Sequence, residues 1–101
     1  MRVRPGIEVH ESELADLCRR FGVARLEVFG SSARGDFRPD SDVDLLVEFE
    51  PGLRVGFLHL TGLQLELQSL LGVPVDLVPR GGLKARIREE VLKEARELYA
   101  A

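Results

Sequence analysis

A chain of 101 residues is one domain's worth of polypeptide, and its formal net charge of −3 argues against nucleic acid as the main partner. Such binding rests on neutralising phosphates with Lys and Arg. Apolar residues at 45% and charged residues at 31% describe a folded globule rather than a disordered chain.

Cys18 is the single cysteine, which leaves no internal disulfide and no cysteine metal cluster; it reads as a small core residue of a helix. No apolar run approaches the roughly 18 residues of a membrane span. The opening "MRVRPGIEVHE" has no apolar signal segment. The expected location is therefore the cytoplasm.

In chain order, Val9, Leu14, Leu17 and Phe21 recur at helical spacing and predict a helix from about Glu8 to Phe21, stopped by Gly22. "ARLEVFG" alternates and predicts a strand ending at Gly30. "DVDLLVEFE" predicts a second strand with Val43, Leu45, Val47 and Phe49 on one face, broken by Pro51-Gly52. "FLHLTGLQLELQSLLG" reads as a leucine-rich helix ending at Gly72, and "VPVDLV" as a third strand. "LKARIREEVLKEARELYA" reads as a terminal helix. Leu83, Ile87, Val91 and Leu98 form its apolar stripe, and Glu89/Lys93 and Lys93/Glu97 are spaced to pair along it.

Connection lengths restrict the topology. Eleven residues, 31–41, separate Gly30 from Asp42, too few for a parallel crossover, so the first two strands are expected to be antiparallel. A full helix joins the second and third, so those are expected to be parallel. The fold class is α/β (α+β), a small mixed sheet flanked by helices.

This topology concentrates chemistry at one sheet edge. An antiparallel pair places Gly30-Ser31 beside Asp42 and Asp44. Two residues apart on a strand, those carboxylates would leave one face with their Cα atoms roughly 6.5–7 Å apart. Asp76, on the third strand, can reach the same face. Three converging carboxylates repel and need a counter-ion, and hard oxygen ligands suit Mg²⁺ or Mn²⁺. "SSARG" can open a short helical turn whose first N–H groups and Ser31 hydroxyl attract an anion, with Arg34 one turn on. Together these read as a metal–triphosphate site.

Two competing motifs fail. Counted from Asp40, the sixth and twelfth places of an EF-hand loop hold Leu45 and Pro51 instead of Gly and Glu. "GSSARGDF" has P-loop glycine spacing but Asp36 where the lysine belongs.

Gly30-Ser31, ten residues, then Asp42-x-Asp44 resembles the signature of the DNA polymerase beta-type nucleotidyltransferase superfamily. "GSSARGDFRPDSDVDLLVEF", with "VPVDLV" and "LKARIREEVLKEARELYA" after it, looks like the superfamily's minimal form, the MNT proteins. The resemblance spans about Leu14 to Tyr99, with residues 1–101 as a single minimal domain of palm-like fold. It implies that Asp42, Asp44 and Asp76 hold two Mg²⁺ ions and that Gly30 and Ser31 hold the triphosphate of ATP. Arg34 would be a further phosphate contact. A hydroxyl would attack the α-phosphate, and Asp76 would help to activate it. The family also implies a partner. MNT proteins pair with a separately encoded helical HEPN protein as antitoxin and toxin, and some attach AMP to a toxin tyrosine. Two other expectations stand beside this one: a binding-only antitoxin that occludes its HEPN partner, and a nucleotidyltransferase acting on a small molecule.

Simpler roles compete for individual residues. Asp42 could be a turn residue of "RPDSD". Asp76 could pair with an arginine. Asp36, Arg38 and Asp40 read as exposed loop residues, His10 and His59 as structural or exposed, and Tyr99 as packing. Arg80, Lys84, Arg86 and Arg88 read as a solvated helix start or a partner surface. The leucines from Leu58 to Leu71 wrap too far around their helix to face one sheet. That suggests a sandwiched helix, or a surface for a partner or a homo-oligomer.

Overall fold

The computed structural model describes residues 1–101. A hairpin of β1 (Arg2–Arg4) and β2 (Ile7–Glu8) leads into α1 (Glu11–Phe21) and β3 (Val23–Phe29). A single turn, α2 (Ser31–Arg34), precedes β4 (Val43–Phe49). Then come α3 (Phe57–Leu71), β5 (Val75–Pro79), α4 (Ala85–Glu94) and β6 (Arg96–Ala100).

The main sheet runs β5-β4-β3-β6. β3 and β4 are antiparallel and β4 and β5 parallel, as the connection lengths predict. Gly22 ends α1 in the left-handed conformation at φ 70°, with its N–H turned back to the carbonyls of Arg19 and Cys18.

Two expectations at the chain ends are corrected. The first helix starts at Glu11, not Glu8, because residues 1–8 form the hairpin around Pro5-Gly6. Val9 extends that pairing: its N–H donates to the Met1 carbonyl at 2.9 Å.

The terminal helix stops at Glu94, and the last stretch is a strand paired antiparallel with β3. The edge of β3 carries backbone groups that need partners, and "RELYA" supplies them while placing Leu98 in the core. Tertiary pairing thus overrides local helix preference. Glu89 and Lys93 stay paired at 3.4 Å, whereas Glu97 leaves the helix and meets Arg25 at 3.9 Å.

Helices α1 and α3 cover one face of the sheet. Leu14, Leu17 and Cys18 of α1 and Leu63, Leu67 and Leu71 of α3 pack there against Val28, Val43, Leu45, Val47 and Leu77. Burial pushes the Cys18 thiol up to about 12, so it stays protonated and inert. On the other face, α4 closes a much smaller cluster of Leu46, Leu83 and Val91, with Phe29 and Val78 alongside. Of the two readings of α3, the sandwiched helix does not occur. Its outer side leaves Phe57, Leu58 and Leu65 in solvent, Leu58 at 83% exposure.

Candidate active site

The site lies on the α4 face, where β3 ends and β4 begins. Phe29 pairs with Asp44 across the antiparallel ladder, and Asp44 pairs with Asp76 across the parallel one. Register thus sets Asp44 between the Gly30 corner and Asp76. Side chains alternate along a strand, so Asp44 shares its face with Leu46, under α4. Asp42 is not a strand residue. β4 starts at Val43, and Asp42 is exposed at the end of the incoming loop.

Gly30 makes close approach possible. It has φ 69°, in the left-handed region, and a Cβ built on it would lie 2.2 Å from Asp44 Oδ2. Only glycine combines that conformation with that contact. After it, the N–H groups of Ala33 and Arg34 donate to the Gly30 carbonyl at 3.1 and 3.0 Å, forming α2 with Ser31 at its head. The Gly-Ser turn and the Asp44 carboxylate are therefore in contact, although residues 31–43 separate Gly30 from Asp44 in the chain.

The electrostatics match this crowding. Burial raises the Asp44 carboxyl above its ordinary range, and the charges of Asp76 and then Asp42 raise it further. Arg34 acts in the opposite sense. A divalent cation would relieve that repulsion, and the donor set is all-oxygen, as Mg²⁺ or Mn²⁺ requires. No group of three or more His, Cys, Asp or Glu side chains is arranged to hold a metal ion, so the structure sets Asp44 and Asp76 side by side in register without gathering the expected three-carboxylate cluster. Mg²⁺ does not need such a cluster, since it is usually held by one or two carboxylates, with water and substrate phosphate filling the other positions. The residues fit such an ion.

Two residues absent from the sequence reading organise the site. Arg4, on β1, is 2% exposed and has its guanidinium inside the loop that joins Gly30 to β4. It donates to Ser32 Oγ at 3.0 Å and to the carbonyls of Ser41, Pro39 and Asp42 at 2.8, 3.3 and 3.5 Å. It also lies 4.6 Å over the Phe37 ring. Arg4 thereby ties Ser32, next to the Gly-Ser turn, to the residue carrying the Asp42 carboxylate. The Pro5-Gly6 turn was the available signal for a hairpin, but nothing local marks its arginine as buried.

Glu94 is the second. It ends α4 and accepts from the Gly30 N–H at 3.0 Å. Arg34 is held between this carboxylate, at 3.3 Å, and Asp36, at 3.4 Å. Glu94 comes sixty-four positions after Gly30, too far for any spacing rule. A cleft of about 390 Å³ lies here, lined by Gly30, Ser31, Arg34, Asp44, Ile87 and Glu94 among others.

Other singled-out residues lie elsewhere. His59 is structural: its Nε2 lies 2.7 Å from the Phe21 carbonyl, between the Phe21 and Phe49 rings. Arg80 is paired with Glu27 rather than solvated.

The sequence model of the nucleotidyltransferase domain family matches residues 12–98. The chain belongs to that family. It is a nucleotidyltransferase. Among curated relatives, the protein adenylyltransferase MntA of Thermococcus cleftensis is 44% identical over 90 residues, covering 87% of this chain and 84% of the relative. A solved structure assigned provisionally as a minimal nucleotidyltransferase superposes with a TM-score of 0.71 at 50% identity, over 85% of this chain and 86% of that one. A more distant likeness, to a chain from a complex of tri-AMPylated Shewanella oneidensis HEPN toxin with MNT antitoxin, has a TM-score of 0.64 at 20% identity. It covers 90% of this chain and 70% of that one, and shares the fold.

Proposed function

We propose that this nucleotidyltransferase transfers AMP from ATP to a hydroxyl of a separate helical protein of the HEPN type, a tyrosine, and so acts as its antitoxin. One observation carries the reading: the Gly30-Ser31 turn is in contact with the Asp44 carboxylate, with Asp76 in register beside it. That juxtaposition is what α-phosphate chemistry needs, with donors for the phosphate tail on one side and carboxylates on the other. The name of the 44% identical relative supports protein as the acceptor and AMP as the group moved. The AMPylated HEPN toxin of the distant complex supports the partner class.

Each residue then has a task. Gly30 gives its N–H and its lack of a Cβ, Ser31 its hydroxyl, and Arg34 a planar cation for phosphate oxygens. Asp42, Asp44 and Asp76 would hold two Mg²⁺ ions, which when bound neutralise the triphosphate and sharpen the α-phosphorus as an electrophile. The acceptor hydroxyl oxygen forms a bond to the α-phosphorus while the bond to the bridging oxygen breaks and pyrophosphate leaves. The hydroxyl proton passes to Asp76, which is exposed at the end of the row and open to an acceptor.

The test is label transfer from α-labelled ATP with Mg²⁺, comparing wild type with Asp44→Asn and using a HEPN-type partner as acceptor. Label on the partner with wild type alone is expected. Equal labelling by Asp44→Asn would overturn the assignment of the site. If no nucleotide is transferred while both proteins still neutralise the partner, the chain is a binding-only antitoxin.

A further inference from the structure

The last residue of α4 sends its carboxylate onto the two groups read above as the phosphate cradle. The Gly30 N–H donates to Glu94 Oε1 at 3.0 Å, and Arg34 Nη1 donates to both carboxylate oxygens at 3.3 Å each. One anion thus occupies a backbone donor and a guanidinium together. These donors suit a phosphate oxygen for the same reason that they suit a carboxylate: both are anionic oxygens accepting charge-assisted bonds.

Glu94 occupies an unfavourable position. It stands at the C-terminal end of α4, where the exposed carbonyls make negative charge unwelcome. It also lies near enough to Asp44 for the two carboxylates to repel. The bonds to Gly30 and Arg34 compensate for this. The side chain is 22% exposed, so a path to solvent is open. The backbone beyond it is held, because Arg96 of β6 pairs with Val28 and its guanidinium donates to the carbonyls of Arg2 and Val3. The change needed to free the cradle is thus a side-chain rotation, not a movement of the sheet.

We infer that Glu94 is a built-in competitor for the nucleotide's phosphate tail, and that nucleotide binds only as this carboxylate leaves Gly30 and Arg34. The inference rests on reading Gly30-Ser31 as the phosphate site. Two anions cannot share the Gly30 N–H, and held within a few ångströms of each other they repel. Apparent affinity is then lowered by the fraction of molecules in which Glu94 occupies the cradle.

The experiment is calorimetric titration of the full chain with a non-hydrolysable ATP analogue and Mg²⁺. Wild type is compared with Glu94→Gln, Glu94→Ala and Glu89→Gln. Glu89 is on the same helix, paired with Lys93 and 83% exposed, so its variant removes equal charge without touching the cradle. Glu94→Ala is expected to bind about tenfold tighter, with Glu94→Gln between it and wild type, and Glu89→Gln within about twofold of wild type. Unchanged or weaker binding by both Glu94 variants, with wild type still binding, would overturn the competitor role and leave the phosphate site standing. Equal tightening by Glu89→Gln would reduce the effect to net charge and overturn it too. If all four proteins fold, by circular dichroism, and none binds, the phosphate-site reading fails and takes the inference with it.

Discussion

The two faces of the four-stranded sheet are cut from the same strands and carry opposite loads. Under α1 and α3, eighteen buried apolar residues form one continuous cluster. Under α4 the cluster has only three, and the same face carries the Glu27–Arg80 pair, Asp44 and Asp76. In β4 the division is residue by residue: Val43, Leu45 and Val47 face the large core, whereas Asp44 shares the other side with Leu46. The difference teaches that one face supplies enough apolar burial to hold the sheet. The other can then keep like charges crowded at its edge, an arrangement that costs stability wherever it occurs.

The comparison can be broken from either side. The largest expected effect is on the packed face. Leu63→Ala removes a side chain of zero exposure and should cost about 2–5 kcal/mol in chemical denaturation. A smaller loss would mean that α3 is not the main prop of the sheet. On the other face, Asp44→Asn should cut AMP transfer by at least about a hundredfold, or ~2.7 kcal/mol in barrier. Its thermal midpoint should stay level or rise, because burial and two neighbouring carboxylates already disfavour that charge. A fall of several degrees would show that Asp44 supports the fold.

Arg4 lies where the hairpin meets the loop, and Arg4→Met separates the two demands less cleanly. It strands the Ser41, Pro39 and Asp42 carbonyls without their donor and should cost roughly 1–3 kcal/mol of stability. Nucleotide binding should weaken beyond what the unfolded fraction explains. Equal losses in both would make Arg4 a purely structural residue. The smallest effect is expected at the outer side of α3. There Leu58→Ser should shift the stability of the isolated chain by no more than about 0.5 kcal/mol. A larger loss would mean that this exposed side is covered by another copy in solution.

Much of this was legible in one sequence, for reasons that are local. The β3 and β4 strands and the body of α1 show in their periodicity, α3 shows in its run of leucines, and both helices end at glycines, Gly22 and Gly72, that cap them in the left-handed conformation. The antiparallel and parallel pairings follow from connection length alone. Gly30, Ser31 and Asp44 could be brought together before any coordinates, because a short loop between antiparallel strands leaves few alternatives. At the two chain ends the local signals compete. "LYA" continues a helical pattern as readily as it starts a strand, and only the unpaired edge of β3 decides between them.

The sequence by itself therefore determined the family, the element order of the middle of the chain and the motif that carries the chemistry. These are encoded in spacings of two to about a dozen residues. Only the tertiary structure decided that a guanidinium from β1 is buried in the motif's loop and that a carboxylate from α4 lies on the Gly30 amide. The physical reason is range. Both contacts join residues far apart in the chain, made when helices and strands pack against the sheet, and no periodicity records which charged side chain that packing turns inward.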